Sequence, residues 1–373
     1  MRAVAKVFGA LALLVVTVLV ALGVFVQSPV QAVAWQPSAP PSADDGPYAR
    51  NLALQQAQVF GQGNVLHPES FAMGPDGAAY TGMSNGDIVR IERATLLAPN
   101  AQVSLPMQVL GNTGGRPLGL VFHPDGYLVV ADALLGLVSF SLQGEVKVLS
   151  TAAEGVPFKF VDDVDVSADG RYAYFSDASS KFDLNNYVLD ILEHRGNGRL
   201  LRYDFLTGQT TTLMRGLQFA NGVVLSHEED YVLVNETAAY RIARHWLKGG
   251  KAGQSDVFAD NLPGFPDNIR RDSQGHFWVA VPSLRDPMVD GLAAYPEARA
   301  FLAKLLSFVK FPVSPYAMVL AFNAQGEVVA NLQAPKAGGY YYYITQVTPW
   351  GKELLLGSVH VPGFATISNP LGQ

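Results

Sequence analysis

The chain of 373 residues contains no cysteine, which excludes disulfide bonds, thiolate zinc sites and cysteine nucleophiles. Only 16% of the residues are charged, and the net charge of -6 leaves no basic excess with which to bind nucleic acid. No Gly-x-Ser-x-Gly motif occurs, so nothing indicates an α/β-hydrolase with a serine nucleophile. The chain is instead rich in glycine and proline, with 36 and 23 residues, which indicates short strands joined by many turns.

The longest apolar run is Val7–Val26, which contains Thr17 as its one clearly polar residue and follows Arg2 and Lys6. About twenty residues make a helix roughly 30 Å long, enough to cross the hydrocarbon core of a bilayer. We therefore predict that residues 1–27 form an uncleaved signal anchor, a transmembrane helix. Positive charges before the span favour a single-pass topology with the rest of the chain outside the cytoplasm.

The alternative for this end of the chain is a cleaved signal peptide and a secreted protein. Val30-Gln31-Ala32 fits a small-residue cleavage site, although the apolar run is longer than most signal peptides have. In either case the globular part is exported. Residues 28–49, which include a stretch rich in Pro, Ser and Ala, are predicted to be a linker.

A turn followed by a short apolar strand recurs six times in the rest of the chain. The six strands are Ala79–Thr81, Leu128–Val130, Ala173–Phe175, Val232–Val234, Phe277–Val279 and Leu354–Leu356. Asp-Gly or Gln-Gly precedes four of them, and Asp-Gly between apolar stretches is a strong hairpin signal. Units spaced by roughly 45–75 residues, each with further strand-like segments, are typical of propeller blades. The repeat predicts an all-β fold, a six-bladed β-propeller over residues 50–373, with a β-sandwich as the structural alternative.

One segment departs from this strand pattern. Between Pro296 and Phe311, apolar residues recur at helical spacing. The segment lies within the fifth repeat, so we predict a short helical insertion there. Its apolar stripe is expected to pack on the ring of blades rather than to face a membrane.

Polar residues recur seven positions before each turn, at the entrance to the first strand of each unit. In chain order these positions hold Glu69, Leu118, Asp162, Asn221, Asp267 and, in the sixth unit, Thr345. The first strands of a propeller line its central channel, so equivalent entrances converge on the axis. We therefore expect the oxygen-bearing side chains among them, with that of Asn268, to meet in one place.

Three carboxylates in one channel would repel one another unless a cation lay between them. Carboxylate and amide oxygens suit Ca²⁺, with Mg²⁺ or another divalent ion as the alternative. Zinc is disfavoured because no histidine belongs to the set. Any one of these residues could simply cap a turn, but their recurrence in register on four blades favours a metal site. His360, after the last strand, is a further candidate to reach the channel.

Several short motifs carry a family resemblance. They are His67-Pro68-Glu69-Ser70, Asp132-Ala133-x-x-Gly136-Leu137, Tyr174-Phe175-Ser176-Asp177, Phe219-Ala220-Asn221-Gly222 and the segment Leu262–Arg271. In these motifs the chain resembles the strictosidine synthase-like family, including its adipocyte plasma membrane-associated type with an N-terminal membrane anchor. It is more distantly similar to the gluconolactonase/senescence marker proteins and to the paraoxonases. The resemblance implies a six-bladed propeller and a calcium-type metal held by the residues that match Glu69, Asp162, Asn221 and Asp267.

The chain also departs from these relatives around the expected pocket. Leu118 stands where paraoxonases have a histidine, and their second histidine, near Asp132, is also absent. Phe160 replaces an arginine of the gluconolactonases, and Thr345 replaces the glutamate of strictosidine synthases. Asp162 stands where lactonases usually have asparagine, which adds one charge. Strictosidine synthase activity itself is therefore not expected, and the predicted substrate pocket consists of Leu118, Asp132, Thr345 and His360.

Two functions fit these residues. The first is a metal-dependent esterase or lactonase, of the arylesterase type, in which the ion polarises a carbonyl and Asp267 or Asp163 activates water. Its partners would be a small-molecule ester or lactone and, through the N-terminal helix, a membrane. The second is a non-catalytic, membrane-tethered binding propeller whose metal is structural. Nucleic acid is not an expected partner of either.

Overall fold

The computed structural model describes residues 25–306, 308, 316–335 and 341–372, together with Thr17 and Gly23. No helix within these residues is both long and apolar enough to span a membrane. Nearly all of the run Val7–Val26 lies outside the described residues, and with it the predicted signal anchor. The anchor therefore stays a prediction.

Within the described residues, 24 strands form six four-stranded antiparallel sheets. Blades one to three, from the innermost strand outward, are β2–β5 (Phe71–Met73, Ala79–Gly82, Asp87–Ile91, Gln108–Asn112), β6–β9 (Pro117–Phe122, Leu128–Asp132, Gly136–Phe140, Val146–Ser150) and β12–β15 (Val161–Val166, Tyr172–Asp177, Gly198–Asp204, Gln209–Leu217). Blades four to six are β16–β19 (Ala220–Leu225, Tyr231–Glu236, Arg241–Trp246, Ser255–Ala259), β20–β23 (Ile269–Arg271, Phe277–Val281, Tyr316–Phe322, Val328–Pro335) and β24–β26 with β1 (Gln346–Trp350, Glu353–Gly357, Phe364–Ser368, Gln58–Phe60). The six innermost strands contact one another in ring order, the sixth meeting the first. The predicted six-bladed propeller is confirmed.

The ring is closed by pairing between the two ends of the chain. Strand β1 is the outermost strand of blade six, where Gln58 lies opposite Thr366 and Phe60 opposite Phe364. A small two-stranded hairpin, β10 and β11 (Ala152–Ala153 and Val156–Pro157), precedes blade three. Because blade six takes strands from both ends of the chain, the hydrogen bonds between β1 and β26 hold the first and the last repeat together.

The hairpins at the start of the blades have their turns at the glycine-containing positions from which the sequence predicted them. Gly77 and Gly126 have φ values of 76° and 91°, a left-handed conformation that glycine adopts without steric cost. The strands that follow are almost wholly buried because each blade packs its two faces against its neighbours. Between blades five and six, for example, Trp278 and Val319 pack with Val347 in one apolar cluster. Burial of such side chains contributes about 1.5–3 kcal/mol each.

Helical insertions interrupt two blades on the same end of the ring. Blade three contains α1 (Tyr187–Glu193), and blade five contains α2 (Pro287–Gly291) and α3 (Pro296–Leu306). The helix predicted in the fifth repeat is confirmed as far as Leu306, while most of the remainder to Phe311 lies outside the described residues. Helix α1 was not predicted. The apolar stripe of α3 packs against α1 rather than directly on the blades.

The segment predicted to be a linker, residues 28–49, is docked on these helices. The backbone N–H of Gln31 donates to Glu193 Oε2 at 2.7 Å, and that of Val33 donates to the Glu193 carbonyl at 3.0 Å. The Trp35 ring stacks on His194 with 4.0 Å between centroids. These contacts make the first part of the segment a constituent of the globular unit, not a free tether. The linker prediction is wrong there.

Candidate metal centre and active site

Irregularities in the innermost strands direct side chains toward the axis. In β12, Asp162 and Asp163 together lie opposite the single residue Ser176. This arrangement of two residues against one is a β-bulge. Strand β16 has the same irregularity at Asn221, and β6 has it at Leu118. Such bulges twist the strand and re-aim its side chains, and they occur often beside active sites. The three bulges lie at the level that the spacing of seven residues identified.

Four of the five predicted metal ligands carry a buried oxygen without a hydrogen-bond partner. We call the five residues the ligand group: Glu69, Asp162, Asn221, Asp267 and Asn268. The unpaired atoms are Glu69 Oε2, Asp162 Oδ1, Asn221 Oδ1 and Asn268 Oδ1, on residues that are 4%, 1%, 4% and 0% exposed. A buried polar atom without a partner costs about 1–3 kcal/mol, so four at one level of the ring require an explanation. All four are oxygens, the atom type that a hard divalent cation binds.

The carboxylates of the ligand group share one electrostatic environment. Burial raises the pKa of Glu69 to about 7, against the opposing charge of Arg116. Burial also raises the pKa of Asp162 well above its usual value, and the charges of Glu69 and Asp267 raise it further. The pKa of Asp267 is raised in the same way, by burial and then by Glu69. Each carboxylate therefore disfavours the negative charge of the others, and a cation would relieve that repulsion.

The Asp267 backbone is held by contacts from several directions. Its N–H donates to the Ala280 carbonyl at 2.9 Å, while its own carbonyl accepts from Gly222 N–H at 3.2 Å and from Asn235 Nδ2 at 2.5 Å. Asn268 Nδ2 donates to Asp267 Oδ1 at 3.3 Å. Asp267 alone in the ligand group is partly exposed. It is therefore the member best placed to meet a substrate or a water molecule.

The centre depends on amide oxygens as well as carboxylates. Among the residues that the structure describes, no three Asp, Glu or His side chains are grouped closely enough to bind a metal by themselves. An ion in the channel would therefore take Asn221 and Asn268 along with the carboxylates. Mixed carboxylate and amide coordination is typical of Ca²⁺.

Asp163 does not offer a free oxygen. Arg270 Nη1 and Nη2 donate to its Oδ2 and Oδ1 at 2.6 and 2.7 Å, and Val223 N–H donates to Oδ2 at 2.9 Å. The carboxylate is completely buried. This geometry does not support the predicted role of Asp163 as a base. Of the two predicted bases, Asp267 is the one that is partly exposed.

The structure corrects the pocket assignment of Asp132. Its Oδ1 accepts the backbone N–H groups of Arg116, Leu134 and Leu135 at 2.9–3.0 Å, and its Oδ2 accepts from Thr113 Oγ1 at 3.0 Å. The residue is 0% exposed. Asp132 therefore stabilises a turn and does not line a pocket.

The other predicted pocket residues lie around the entrance to the channel. Thr345 is buried and donates from Oγ1 to the Glu69 carbonyl at 3.1 Å, so it supports a ligand instead of facing a substrate. His360 is exposed, and its ring lies 4.8 Å from that of Tyr343. Partial burial and the nearby charge of His67 lower the pKa of His360. His360 thus lies beside Tyr343 and close enough to His67 to interact with it electrostatically.

An apolar layer covers the ligand group. Its main members, which we call the apolar cover, are Leu118, Phe160, Leu184, Tyr187, Ile191 and Phe219. Phe160 and Phe219 precede Asp162 and Asn221 by two residues and meet edge to face, 5.6 Å apart. Tyr187 contributes to this layer from α1, and burial together with the charge of Asp267 raises its pKa. The cover would exclude water and contact the apolar part of a bound ligand.

Comparison with known proteins identifies the family. Residues 46–91 match the model of the strictosidine synthase-like N-terminal region, and residues 162–250 match that of strictosidine synthase. The adipocyte plasma membrane-associated proteins of Salmo salar and Homo sapiens are each 37% identical to the chain. The alignment with the Salmo salar protein covers 90% of the chain and 83% of that protein. The alignment with the Homo sapiens protein covers 85% of the chain and 79% of that protein. The chain belongs to the adipocyte plasma membrane-associated and strictosidine synthase-like family.

The family also includes a plant relative. Strictosidine synthase-like 3 of Arabidopsis thaliana is 34% identical over 343 residues, which cover 86% of the chain and 87% of that protein. Among solved structures, a gluconolactonase from Xanthomonas campestris has a TM-score of 0.59 at 15% identity and covers 93% of the chain and 99% of its own. Regucalcin from Agrobacterium tumefaciens, a calcium-binding protein, has a TM-score of 0.54 at 13% identity and covers 83% and 92%. At these identities the structures show the shared fold alone.

The sequence pattern did not indicate three residues that lie near the centre. Arg270 pairs with Asp163, Asn235 holds the Asp267 backbone, and Tyr187 covers the ligand group. Arg270 gave a signal, because it is a charged residue within an innermost strand of the channel. Asn235 and Tyr187 lie outside the innermost strands, so the spacing of the repeat did not indicate them.

Proposed function

We propose that the protein is a calcium-dependent hydrolase of small carboxylic esters or lactones. The observation that carries the proposal is the set of four buried, unpaired oxygens beside the partly exposed Asp267. The solved structures that share the fold include gluconolactonases and a calcium-binding protein, which supports this class of function. The apolar cover fits a substrate with an apolar or aromatic part.

The residues of the proposed centre would have different roles. The oxygens of Glu69, Asp162, Asn221 and Asn268 would hold the ion, and Asp267 would contact both the ion and the substrate. Bound Ca²⁺ would supply Lewis-acid polarisation of the carbonyl and charge stabilisation for the oxyanion. Asp267 would accept a proton from the attacking water, because it alone in the ligand group is partly exposed.

We also propose that the protein is attached to a membrane, with the propeller outside the cytoplasm. The relatives named adipocyte plasma membrane-associated protein support attachment, and so does the apolar run Val7–Val26 after Arg2 and Lys6. Secretion after cleavage at Val30-Gln31-Ala32 would separate Gln31 from the rest of the segment that contacts Glu193. The contacts of this segment therefore favour the uncleaved form.

The test is hydrolysis of phenyl acetate and aliphatic lactones by the full chain in detergent, after removal of bound metal. We expect activity with added Ca²⁺ and none in the presence of a chelator. An ion that binds without hydrolysis of any ester or lactone would instead favour the non-catalytic binding propeller. Equal activity with and without the chelator would contradict a metal-dependent mechanism.

A further inference from the structure

Four carboxylates around the axis interact electrostatically, but only three of them belong to the ligand group. The fourth, Asp163, follows Asp162 in the bulge of β12 and interacts electrostatically with Glu69, Asp162 and Asp267. Its two oxygens differ from those of Glu69 and Asp162, because both accept hydrogen bonds from protein donors. The cation that contacts both oxygens of Asp163 is the guanidinium of Arg270.

Arg270 reaches Asp163 across the channel. It lies in β20 of blade five, two residues after Asn268, whereas Asp163 lies in blade three. Its guanidinium makes a two-point ion pair at 2.6 and 2.7 Å, and Nη1 also donates to the Ile269 carbonyl at 2.9 Å. The side chain is 13% exposed and the Asp163 side chain 0%.

Beyond the guanidinium, the channel opens into a cavity of about 440 Å³ at the end of the ring away from the ligand group. Arg270, Thr348 and Phe71 are among the residues that line it. Arg270 thus separates the ligand group from a space in which further ions or water could lie. Among the described residues that line the cavity, Asp272 is the only acidic one, and its oxygens already accept from the His276 backbone N–H and the Trp278 indole.

We propose that the Arg270 guanidinium is a built-in cation of the channel, which occupies the coordination space of Asp163 and limits the centre to one divalent ion. The inference rests on the proposed metal centre. A second divalent ion at Asp163 would have to displace the guanidinium from both oxygens. The ion pair also positions the ligands, since it joins the strand of Asp162 to the strand of Asn268.

The proposal is tested with calcium-stripped full-length protein, by calorimetric titration with Ca²⁺ and by counting bound ions in native mass spectra. Asp163→Asn leaves the guanidinium uncompensated beside the ion, so the Ca²⁺ affinity is expected to fall about tenfold or more. Arg270→Gln removes that positive charge and frees Asp163. We expect it to bind Ca²⁺ several-fold more tightly or to bind a second ion. The double variant is expected to bind one ion with an affinity near that of the wild type.

Arg271→Gln is the matched control, because this neighbouring arginine lines the same cavity but donates to the carbonyls of Leu225 and Ser226 instead. Its Ca²⁺ affinity is expected to stay unchanged. An ion pair with only a structural role would lower the melting temperature of both single variants without moving their affinities in opposite directions. If Arg270→Gln does not fold, the double variant must still bind at least tenfold more tightly than Asp163→Asn.

Two results would overturn the proposal. One is a wild type that binds two ions per chain, and the other is a Ca²⁺ affinity that moves in the same direction, or not at all, in the two single variants. A wild type that binds no ion would instead refute the proposed metal centre itself. The two failures are therefore distinguishable.

Discussion

The Asn221 side chain directs an amide oxygen into the channel without a protein partner, although only 4% of the residue is exposed. Asn221→Ala removes that oxygen and leaves the formal charge of the site unchanged. Because one ligand of the ion is lost, we expect the Ca²⁺ affinity to fall about tenfold or more in calorimetric titrations. Asn369→Ala is the control, since Asn369 is also buried and has an unpaired amide atom but follows the strand β26 in blade six. Equal losses in both variants would contradict the assignment of Asn221.

Asp267 combines a buried environment with partial exposure, which none of the other ligands has. Asp267→Asn cannot accept a proton, so we expect kcat for phenyl acetate to fall about 100-fold or more at saturating Ca²⁺. The melting temperature with Ca²⁺ serves as the control for folding. A variant that keeps full activity would exclude Asp267 as the base.

The raised pKa of Glu69 predicts how stability depends on pH. In the metal-free fold its pKa is about 7, compared with an ordinary value of 4.5, so the folded state binds a proton that the unfolded state releases. The free energy of unfolding therefore falls as pH rises between these values, by on the order of 3 kcal/mol. The raised pKa values of Asp162 and Asp267 act in the same direction.

We expect calcium-stripped protein to melt at a higher temperature at pH 5.5 than at pH 8. Added Ca²⁺ should raise the melting temperature more at pH 8, because the carboxylates must lose their protons to bind the ion. Stripped protein that is more stable at pH 8 would contradict the electrostatic account of the centre.

The sequence predicted which residues surround the axis, because a repeat preserves the register of its innermost strands. It did not predict how each carboxylate is used. Asp163 is next to a ligand, but the bulge in β12 places it against Arg270, which is distant in the chain. Asp132 lies in a motif of the family, yet one of its oxygens accepts two backbone N–H groups of its own turn and the N–H of Arg116. Only tertiary contacts distinguish these roles.

At the scale of strands, the centre depends on the close approach of neighbouring blades. A Cβ atom on Gly222 would lie 2.5 Å from the Ile269 nitrogen and 2.6 Å from Asn268 Cα, both backbone atoms of blade five. Gly222→Ala must therefore separate β16 from β20 and move Asn221 away from Asn268. We expect a destabilisation of about 1–3 kcal/mol, measured by denaturant unfolding, together with weaker Ca²⁺ binding.

Gly250→Ala is the control for this variant, because a Cβ atom there would meet nothing within 4 Å. Its stability and its Ca²⁺ affinity should stay close to those of the wild type. Normal stability and Ca²⁺ affinity in Gly222→Ala would show that the spacing of these two strands does not determine the site.

Elements with strong local signals were predicted, and those defined by distant contacts were not. The hairpin turns and the helix that begins at Pro296 carry clear patterns. Strand β1 has only three residues, and its partner β26 lies some 300 residues away, so nothing local indicates the pairing that closes the ring. The docked segment around Trp35 was missed for the same reason, since its contacts are to α1 and α3.

At the scale of the whole molecule, the ring brings together oxygens that lie on four blades and are separated by up to about 200 residues of sequence. No single blade holds the complete set, so the centre exists only when the propeller is closed. The central claim is that this convergence creates one divalent-cation site. The pH dependence, the variants and the role of Arg270 all depend on it.

The most direct test is anomalous diffraction from crystals of the full-length protein grown with Ca²⁺. We predict a single peak on the axis, about 2.3–2.6 Å from oxygens of Glu69, Asp162, Asn221 and Asn268. Asp267 should lie beside the same peak, and Asp163 should remain paired with Arg270. A channel without a peak, or an ion that contacts none of these oxygens, would contradict the account.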